Sequence, residues 1–206
     1  MTEQIMDRLR TSTAQLHVDA EGHRFQNLLG TGRVPQDQYA LYLQQLYLMH
    51  QKLAQLLSAD NIAGLHFADV LKAHHFDLSA ITGDLGRFSI DPGKAVALSA
   101  TAKFLSYLEQ LAKTNPVSLL GPLYVLEGSS NGAKFMAVKL KEGLQLNGPG
   151  ADYFDRYGDK QKEYWLGFKS DMNAHKFDEH EEENIIAAAK ATFQVFFDIG
   201  SEIDAL

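Results

Sequence analysis

The sequence contains no cysteine among its 206 residues. Disulfide bonds and cysteine nucleophiles are therefore excluded, and a reducing compartment fits this composition. No stretch approaches the roughly 18 uninterrupted apolar residues that a membrane-spanning helix requires. The opening residues, MTEQIMDRLR, also lack the apolar run of a secretory signal. These absences predict a soluble, cytoplasmic protein that does not bind a membrane.

An excess of positive charge is missing as well. Lysine and arginine number 19 against 26 aspartates and glutamates, which gives a formal net charge of −7. A phosphate-backbone partner calls for a basic face, so we expect no nucleic-acid partner. Hydrophobic residues make up 45% of the chain and charged residues 22%, as in an ordinary globular protein. At this length we expect one domain, residues 1–206, with a continuous core.

Apolar residues recur at helical spacing almost throughout the chain. In the first segment Met6, Leu9, Thr13, Leu16 and Ala20 fall at steps of three and four, which places them on one helix face. No alternating pattern typical of β-strands is bounded by turn residues, so the predicted fold class is all-α, a helical bundle. Helices are predicted over residues 6–20, 21–29, 36–58, 68–81, 94–113, 117–142, 159–174 and 178–203.

His17 is the first residue that could carry chemistry. It lies one helical turn beyond Thr13 and beside Leu16, near the core-facing stripe of the first helix. A neutral imidazole on an apolar face can ligate a metal or a haem iron. Its position alone favours a histidine that is simply packed in the core or at its boundary.

A second candidate is the glycine-containing segment that follows Leu126. Apolar residues continue on both sides of Gly128 and Gly132, so the helix is predicted to persist through them. Each glycine costs a helix about 1 kcal/mol relative to alanine, which indicates that the position gives something in return. A flat ligand could lie against this bare backbone, or another helix could pack closely there. The intervening Ser129, Ser130 and Asn131 could hold water near a ligand or bond backbone carbonyls one turn back.

Two stretches resemble a known family. LRTSTAQLHVDAE, at residues 9–21, resembles the first helix of haem oxygenases, and LYVLEGSSNG, at 123–132, resembles the distal helix of their bacterial, bacteriophytochrome-associated members. The run from Asp171 to Phe193 is also similar to the last helices of that family. The resemblance spans most of the chain and implies the all-α haem oxygenase fold.

The resemblance implies a reaction in which haem is both cofactor and substrate. Electrons from a reductase or ferredoxin activate oxygen bound to the haem iron, and the oxygen hydroxylates a meso carbon of the ring. The products are biliverdin, carbon monoxide and ferrous iron. The protein positions the oxygen for attack along the ring.

The resemblance also assigns roles to residues. His17 becomes the metal ligand, and Glu21 could hydrogen-bond its Nδ1 or be an ordinary solvated acid on the helix surface. Gly128 and Gly132 leave space for the ring and the oxygen, and Ser129 stands where animal members carry an aspartate that organises water. The implied catalytic residues are Gly128, Ser129 and Gly132, and the implied cofactor-binding residues are Arg10, His17, Tyr124, Gly128, Gly132 and Lys169. Arg10 and Lys169 would contact the haem propionates; as ordinary surface charges they would have no such role.

Departures from the family pattern keep other functions open. Ala133 replaces the second residue of the usual glycine pair, and Lys134 places a charge beside it. A haem-binding carrier or sensor without catalytic activity is one alternative, and a helical domain that has lost haem is another.

Several further histidines and aromatics have weaker signals. Most histidines other than His17 are expected at the surface, and His74 and His75 are not expected to share a metal. Tyr47, Phe193 and Phe197 could wall the ligand pocket, although aromatic residues at helical spacing are more often plain core.

Overall fold

The computed structural model describes residues 3–206, so Met1 and Thr2 of the predicted domain lie outside the described residues. The described chain is helical, without a β-strand, which confirms the predicted all-α class. The α-helices are α1 Ile5–Gly22, α2 Arg24–Gly30, α3 Gln36–Leu56, α4 Ala59–Ile62, α5 Ser79–Arg87, α6 Ser99–Thr114, α7 Leu120–Ser129, α8 Ala133–Gly143, α9 Gln161–Ala174 and α10 Glu179–Asp204. Short 3₁₀ turns lie at Ala68–Val70, Ala73–Phe76, Pro92–Lys94, Pro116–Leu119, Asp152–Asp155 and Gly158–Lys160.

The long helix α10 is the common packing partner of the fold. It contacts α1, α2, α3, α6 and α7. Asp178 starts it with a capping box, in which its carboxylate accepts the Glu181 N–H at 2.9 Å and Glu181 accepts the Asp178 N–H at 3.0 Å. Its core-facing residues recur at helical spacing and include Ile185, Ala188, Ala189, Ile199 and Ile203.

The contact between α7 and α10 brings two backbones together. A Cβ built on Gly121 of α7 would overlap the Ile185 carbonyl oxygen and lie 2.7 Å from the Ala189 nitrogen. No side chain can move aside there, because both obstacles are main-chain atoms. Glycine at this position therefore sets how closely α7 lies on α10.

Two predicted helix starts are wrong because side chains bond the backbone, from nearby in the first case and from distant helices in the second. Residues 68–81 form two 3₁₀ turns before α5, which begins at Ser79 with its N–H donated to Asp77 Oδ1 at 2.8 Å. The helix predicted from residue 94 begins at Ser99. Buried Gln45 of α3 holds the preceding extended segment by bonding Val96 and Leu98, and Glu202 of α10 accepts the first N–H groups of α6.

The helix predicted over residues 117–142 is interrupted. A 3₁₀ turn precedes α7, which ends at Ser129, and α8 starts at Ala133. Gly132, between them, has a φ of +84°, a left-handed conformation that ends a helix and favours glycine. The consequence is a break in the backbone where continuity was predicted.

Surface positions were expected for most of the seven histidines outside His17, and two of the seven are buried instead. They are His50 and His75, with 7% and 4% of their surfaces exposed. Within residues 3–206, no helix is long and apolar enough to cross a membrane.

We expect Gly121→Ala to lower the free energy of unfolding by about 1–3 kcal/mol, because the methyl group has no space between the two backbones. Urea unfolding followed by circular dichroism measures the change. Gly83→Ala, at an exposed position of α5 with nothing near the added methyl, is the matched control and should be neutral or stabilising. Equal stability of the two variants would contradict the proposed backbone contact.

Acid is expected to destabilise the fold through His75. Burial, reinforced by His74 and Arg156, lowers its pKa to about 3, whereas the unfolded residue titrates near 6.5. As the pH falls, the unfolded state therefore takes up a proton at His75 before the folded state does. The contribution of neutral His75 to the free energy of unfolding is complete above pH 6.5 and is lost as the pH falls toward 3.

The measurement is urea unfolding at a series of pH values for wild type and His75→Gln. Between pH 6.5 and 3, the free energy of unfolding of wild type should fall by up to about 1.4 kcal/mol more per pH unit than that of the variant. The exposed control His180→Gln should follow wild type. Parallel curves for His75→Gln and wild type would show that His75 is not a neutral buried group.

Candidate functional site

A cavity of about 850 Å³ is lined by residues of α1, α2, α3, α7, α8, α9 and α10. Apolar side chains such as Met136, Trp165 and Phe193 form much of its wall. The seven residues to which the family resemblance gave catalytic or cofactor-binding roles all line this cavity: Arg10, His17, Tyr124, Gly128, Ser129, Gly132 and Lys169. Residues separated by more than 150 positions in sequence are thus brought to one space.

His17 faces the cavity from α1. Its side chain is 58% exposed, so it is not a packed core histidine. The ring lies 5.8 Å from the Phe193 ring at an angle of 58°. Glu21, one helical turn further on, places Oε1 3.5 Å from His17 Nδ1. No described residue hydrogen-bonds to Nε2, so that nitrogen is available to ligate a metal in the cavity.

Three polar side chains donate hydrogen bonds to carbonyl groups at the end of α7. Ser129 Oγ donates to the Leu126 carbonyl at 2.8 Å, Ser130 Oγ to that of Glu127 at 2.5 Å, and Asn131 Nδ2 to that of Gly128 at 3.1 Å. The last carbonyls of a helix have no partner within it, so these bonds stabilise the break before α8. Of the two roles considered for these residues, the structure shows the bonding to backbone.

The two glycines at this break differ in what they contribute. A Cβ on Gly128 would lie 3.4 Å from the Trp165 ring at the cavity wall, so the absence of a side chain leaves space between α7 and this ring. A Cβ on Gly132 would meet nothing within 4 Å. Gly132 is required instead by its positive φ.

Charged and hydroxyl groups also border the cavity. Arg10 is largely exposed and lies 3.4 Å from Asp7, a weak surface pair. Lys169 of α9 is half-buried. Burial raises the pKa of Tyr124, with Thr13 and Arg10 acting in the opposite direction, so its hydroxyl stays protonated at neutral pH. The site therefore offers two cations and a phenol hydroxyl to a ligand with anionic groups.

A buried ion pair that was not predicted from the sequence lies behind the glycine segment. Arg156, with its side chain 6% exposed, lines the cavity and places Nη2 3.1 Å from both Glu127 Oε1 and the Leu126 carbonyl. The Tyr157 hydroxyl lies 3.0 Å from the same carboxylate oxygen. Burial raises the pKa of Glu127, an effect that Arg156 and Tyr157 oppose. The pair attaches the 152–157 segment to α7.

Tyr153 was missed as well. It lines the cavity, and its hydroxyl lies 2.7 Å from His50 Nε2. Tyr153 and Arg156 follow the turn-rich residues 147–150 and lie in and just after a 3₁₀ turn, where apolar periodicity carries no signal. An arginine between tyrosines, in YFDRYGD, is the one sequence feature that could have drawn attention to this segment.

Of the three aromatic residues considered as walls of the pocket, one lines the cavity and two do not. Phe193 lines the cavity, whereas Tyr47 and Phe197 are not among its lining residues. Tyr47 is buried in the core, and the partly exposed Phe197 packs edge-on against His23 with the ring centroids 4.6 Å apart. Lys134, next to the break, lies 3.8 Å from Asp155 and does not line the cavity, whereas its neighbour Ala133 does.

Known structures share this fold. Heme oxygenase from Leptospira interrogans is similar over 97% of this chain and 100% of its own, with a TM-score of 0.88 at 20% identity. Heme oxygenase-1 from the cyanobacterium Synechocystis sp. PCC6803, solved in complex with heme, is similar over 98% of this chain and 93% of its own, with a TM-score of 0.90 at 17% identity. A TenA homologue from P. horikoshii has a TM-score of 0.66 at 15% identity, covering 98% of each chain.

Identities this low show a common fold and leave function to be argued from the site. A search of curated protein sequences found no match. The family model described as Heme oxygenase matches residues 3–202, nearly the whole sequence. The chain therefore belongs to the haem oxygenase family.

Proposed function

We propose that the protein binds haem in the 850 Å³ cavity, with His17 as the iron ligand, and cleaves it with oxygen and electrons to biliverdin, carbon monoxide and ferrous iron. The observation that carries this proposal is the exposed His17 imidazole, which shares one cavity with the bare backbone of Gly128 and Gly132. Family membership supports the reaction class.

The residues present fit a haem. The cavity lies within the range of roughly 300–1,000 Å³ that is usual for sites of cofactor size. Its wall is largely apolar, as a porphyrin ring requires, and Nε2 of His17 is the nitrogen without a protein partner. Arg10 and Lys169 are the cations that would hold the two propionates.

When bound, the haem supplies the iron at which oxygen is activated and the ring that is oxidised. The residues of the chain orient the groups that bind the haem and keep the space beside it free. Glu21, through His17 Nδ1, holds the imidazole ring in one orientation and makes it a better ligand. Gly128 has no side chain to fill the space in which a small ligand would lie against α7. Ser129 has its hydroxyl proton committed to Leu126, so its oxygen faces the cavity region as an acceptor.

Electrons must come from another protein. The chain has no cysteine to provide a redox-active thiol, and we propose a reductase or a ferredoxin as the donor. The same composition suits a reducing cytoplasm, where we propose that the protein works.

One observation favours a second candidate, a haem carrier or sensor without turnover. Ala133 is buried at the cavity wall, where the family usually has a second glycine, and its methyl group narrows the space beside Gly132. The Lys134 charge gives this alternative no support, since Lys134 does not line the cavity and lies near Asp155.

Haem ligation is tested by titration with haemin, followed by the Soret band. Wild type should bind one equivalent with the spectrum of an imidazole-ligated iron. His17→Ala should change that spectrum and lower affinity by about ten-fold or more, because a direct ligand is lost. Added imidazole should restore the spectrum, and the exposed control His180→Ala should match wild type. An unchanged spectrum in His17→Ala would refute the assignment of His17.

Turnover separates the enzyme from the carrier. Reductant and oxygen added to the haem complex should bleach the Soret band and release biliverdin and carbon monoxide, detected by absorption and by carbon monoxide capture with myoglobin. Gly128→Leu should retain imidazole ligation but lose at least about ten-fold in rate, because its side chain enters the reaction space. Gly167→Leu, on the exposed side of α9, is the control. A stable ferric spectrum in wild type would favour the carrier.

A further inference from the structure

Two histidines outside the cavity point ring nitrogens at each other. His66 lies between α4 and the 3₁₀ turn at Ala68–Val70, and His175 directly follows α9. His66 Nδ1 is 2.8 Å from His175 Nε2, although the two residues are 109 positions apart in the sequence. Neither histidine is among the residues that line the cavity, so the pair is separate from the proposed haem site.

Each imidazole has a carboxylate beside its other nitrogen. His66 Nε2 lies 2.9 Å from Oε1 of Glu181, whose other oxygen accepts a backbone N–H in the capping box of α10. On the opposite side of the pair, His175 Nδ1 lies 3.7 Å from Asp69 Oδ1. A neutral imidazole carries one N–H, and the partner of each nitrogen decides which one carries it. The carboxylates therefore favour protons on the two outer nitrogens and lone pairs on the two inner ones.

Lone pairs that face each other at this distance repel, and a cation between them removes the repulsion. The surroundings favour a divalent cation, because Asp69 and Glu181 supply two negative charges and the carbonyl end of α9 adds a partial one. Lys72, a cation of the same region, is paired with Asp171 at 3.0 Å. A single shared proton is the competing occupant, and it would leave one of the two carboxylate charges without compensation.

A metal ion requires only a small opening of the pair. Zinc binds imidazole nitrogen at roughly 2.0–2.1 Å, which places two ligands of a tetrahedral site about 3.3 Å apart. The His66 side chain is 50% exposed and has room to move by this amount, whereas that of His175 is 12% exposed and its ring packs on Phe177. Among residues 3–206, no three histidine or carboxylate side chains are placed to hold a metal together, so water would fill the other coordination positions.

We propose that His66 and His175 form a two-ligand site for a divalent transition-metal ion that prefers imidazole, such as zinc or copper. Imidazole nitrogen suits these ions, and a carboxylate behind each ligating histidine fixes the ring and strengthens the ligand. The bound ion links the segment between α4 and α5 to the junction of α9 and α10. The site is additional to the haem site and does not depend on it.

The test is titration of the full chain with copper(II), followed by electron paramagnetic resonance, which reports nitrogen ligands of the metal. The exposed His17 is itself a candidate copper ligand, so His17→Ala is the reference chain for every comparison. The reference should bind one equivalent with two nitrogen ligands. Adding His66→Ala should remove one nitrogen from the spectrum and weaken binding by at least about ten-fold.

Two further variants test the arrangement around the metal. Asp69→Asn, at a largely exposed position, should weaken binding by about ten-fold and keep both nitrogen ligands, because it changes only the group behind His175. His180→Ala removes an exposed histidine from the first turn of α10 and is the matched control, with the affinity of the reference. Zinc should raise the Tm of the reference and leave that of the His66→Ala chain unchanged. Circular dichroism without metal checks that every variant is folded.

The outcomes that overturn the proposal are distinct. A reference chain that binds no copper shows that the inner nitrogens share a proton instead. Equal affinity in the reference and the His66→Ala chain places the metal elsewhere. An equal loss in the His66→Ala and His180→Ala chains shows adventitious binding to surface histidines. Haem binding through His17 is measured separately, so each of these results leaves the proposed function standing.

Discussion

The backbone contact between α7 and α10 at Gly121 determines where the cavity can form. Because α10 also packs against α1, it is the common support of the helix that carries His17 and the helix that carries Gly128. The distance across the cavity therefore depends on how closely α7 lies on α10. A larger residue at Gly121 would move α7 as a unit, and with it every group at its carboxyl end. A contact far from the chemistry thus controls the geometry of the site.

The ion pair of Glu127 and Arg156 explains how an irregular segment becomes part of the same wall. A buried ion pair contributes little net stability, because desolvation of two charges offsets most of their attraction. Here Tyr157 and the Leu126 carbonyl supply further hydrogen bonds, which the pair needs to be tolerated at all. The contribution is in geometry, since residues 152–157 are joined to the last turn of α7.

The sequence predicted the helices and the candidate site where a periodic or local signal exists. His17 and the glycine segment were singled out by their positions and given roles by their resemblance to a family, and the structure places both at one cavity. The failures share a physical cause. The start of α6 depends on Gln45 and Glu202, which are more than 50 residues away from it, and no local pattern reports such bonds. Tyr153 and Arg156 were missed because their roles arise only when the chain brings residues 127 and 156 together.

The interruption after Ser129 shows why apolar periodicity alone was insufficient there. The pattern of apolar residues on both sides is helical, and it favours one helix through the region. The local chemistry favours a break: three consecutive short polar side chains bond the last carbonyls, and the next residue is a glycine at positive φ. Side-chain bonds of this kind compete with the helical ladder, and a glycine removes the steric cost of leaving it.

The three glycines of this region therefore have separate causes. Gly121 is required by packing, Gly132 by its backbone dihedral, and neither requirement involves a ligand. Gly128 and Gly132 both line the cavity, but only at Gly128 would a side chain meet the opposite wall, because its Cβ would lie 3.4 Å from the Trp165 ring. Tolerance to substitution should accordingly follow packing at Gly121, the backbone dihedral at Gly132 and the space left for a ligand at Gly128. The glycines of this region thus answer three separate physical constraints.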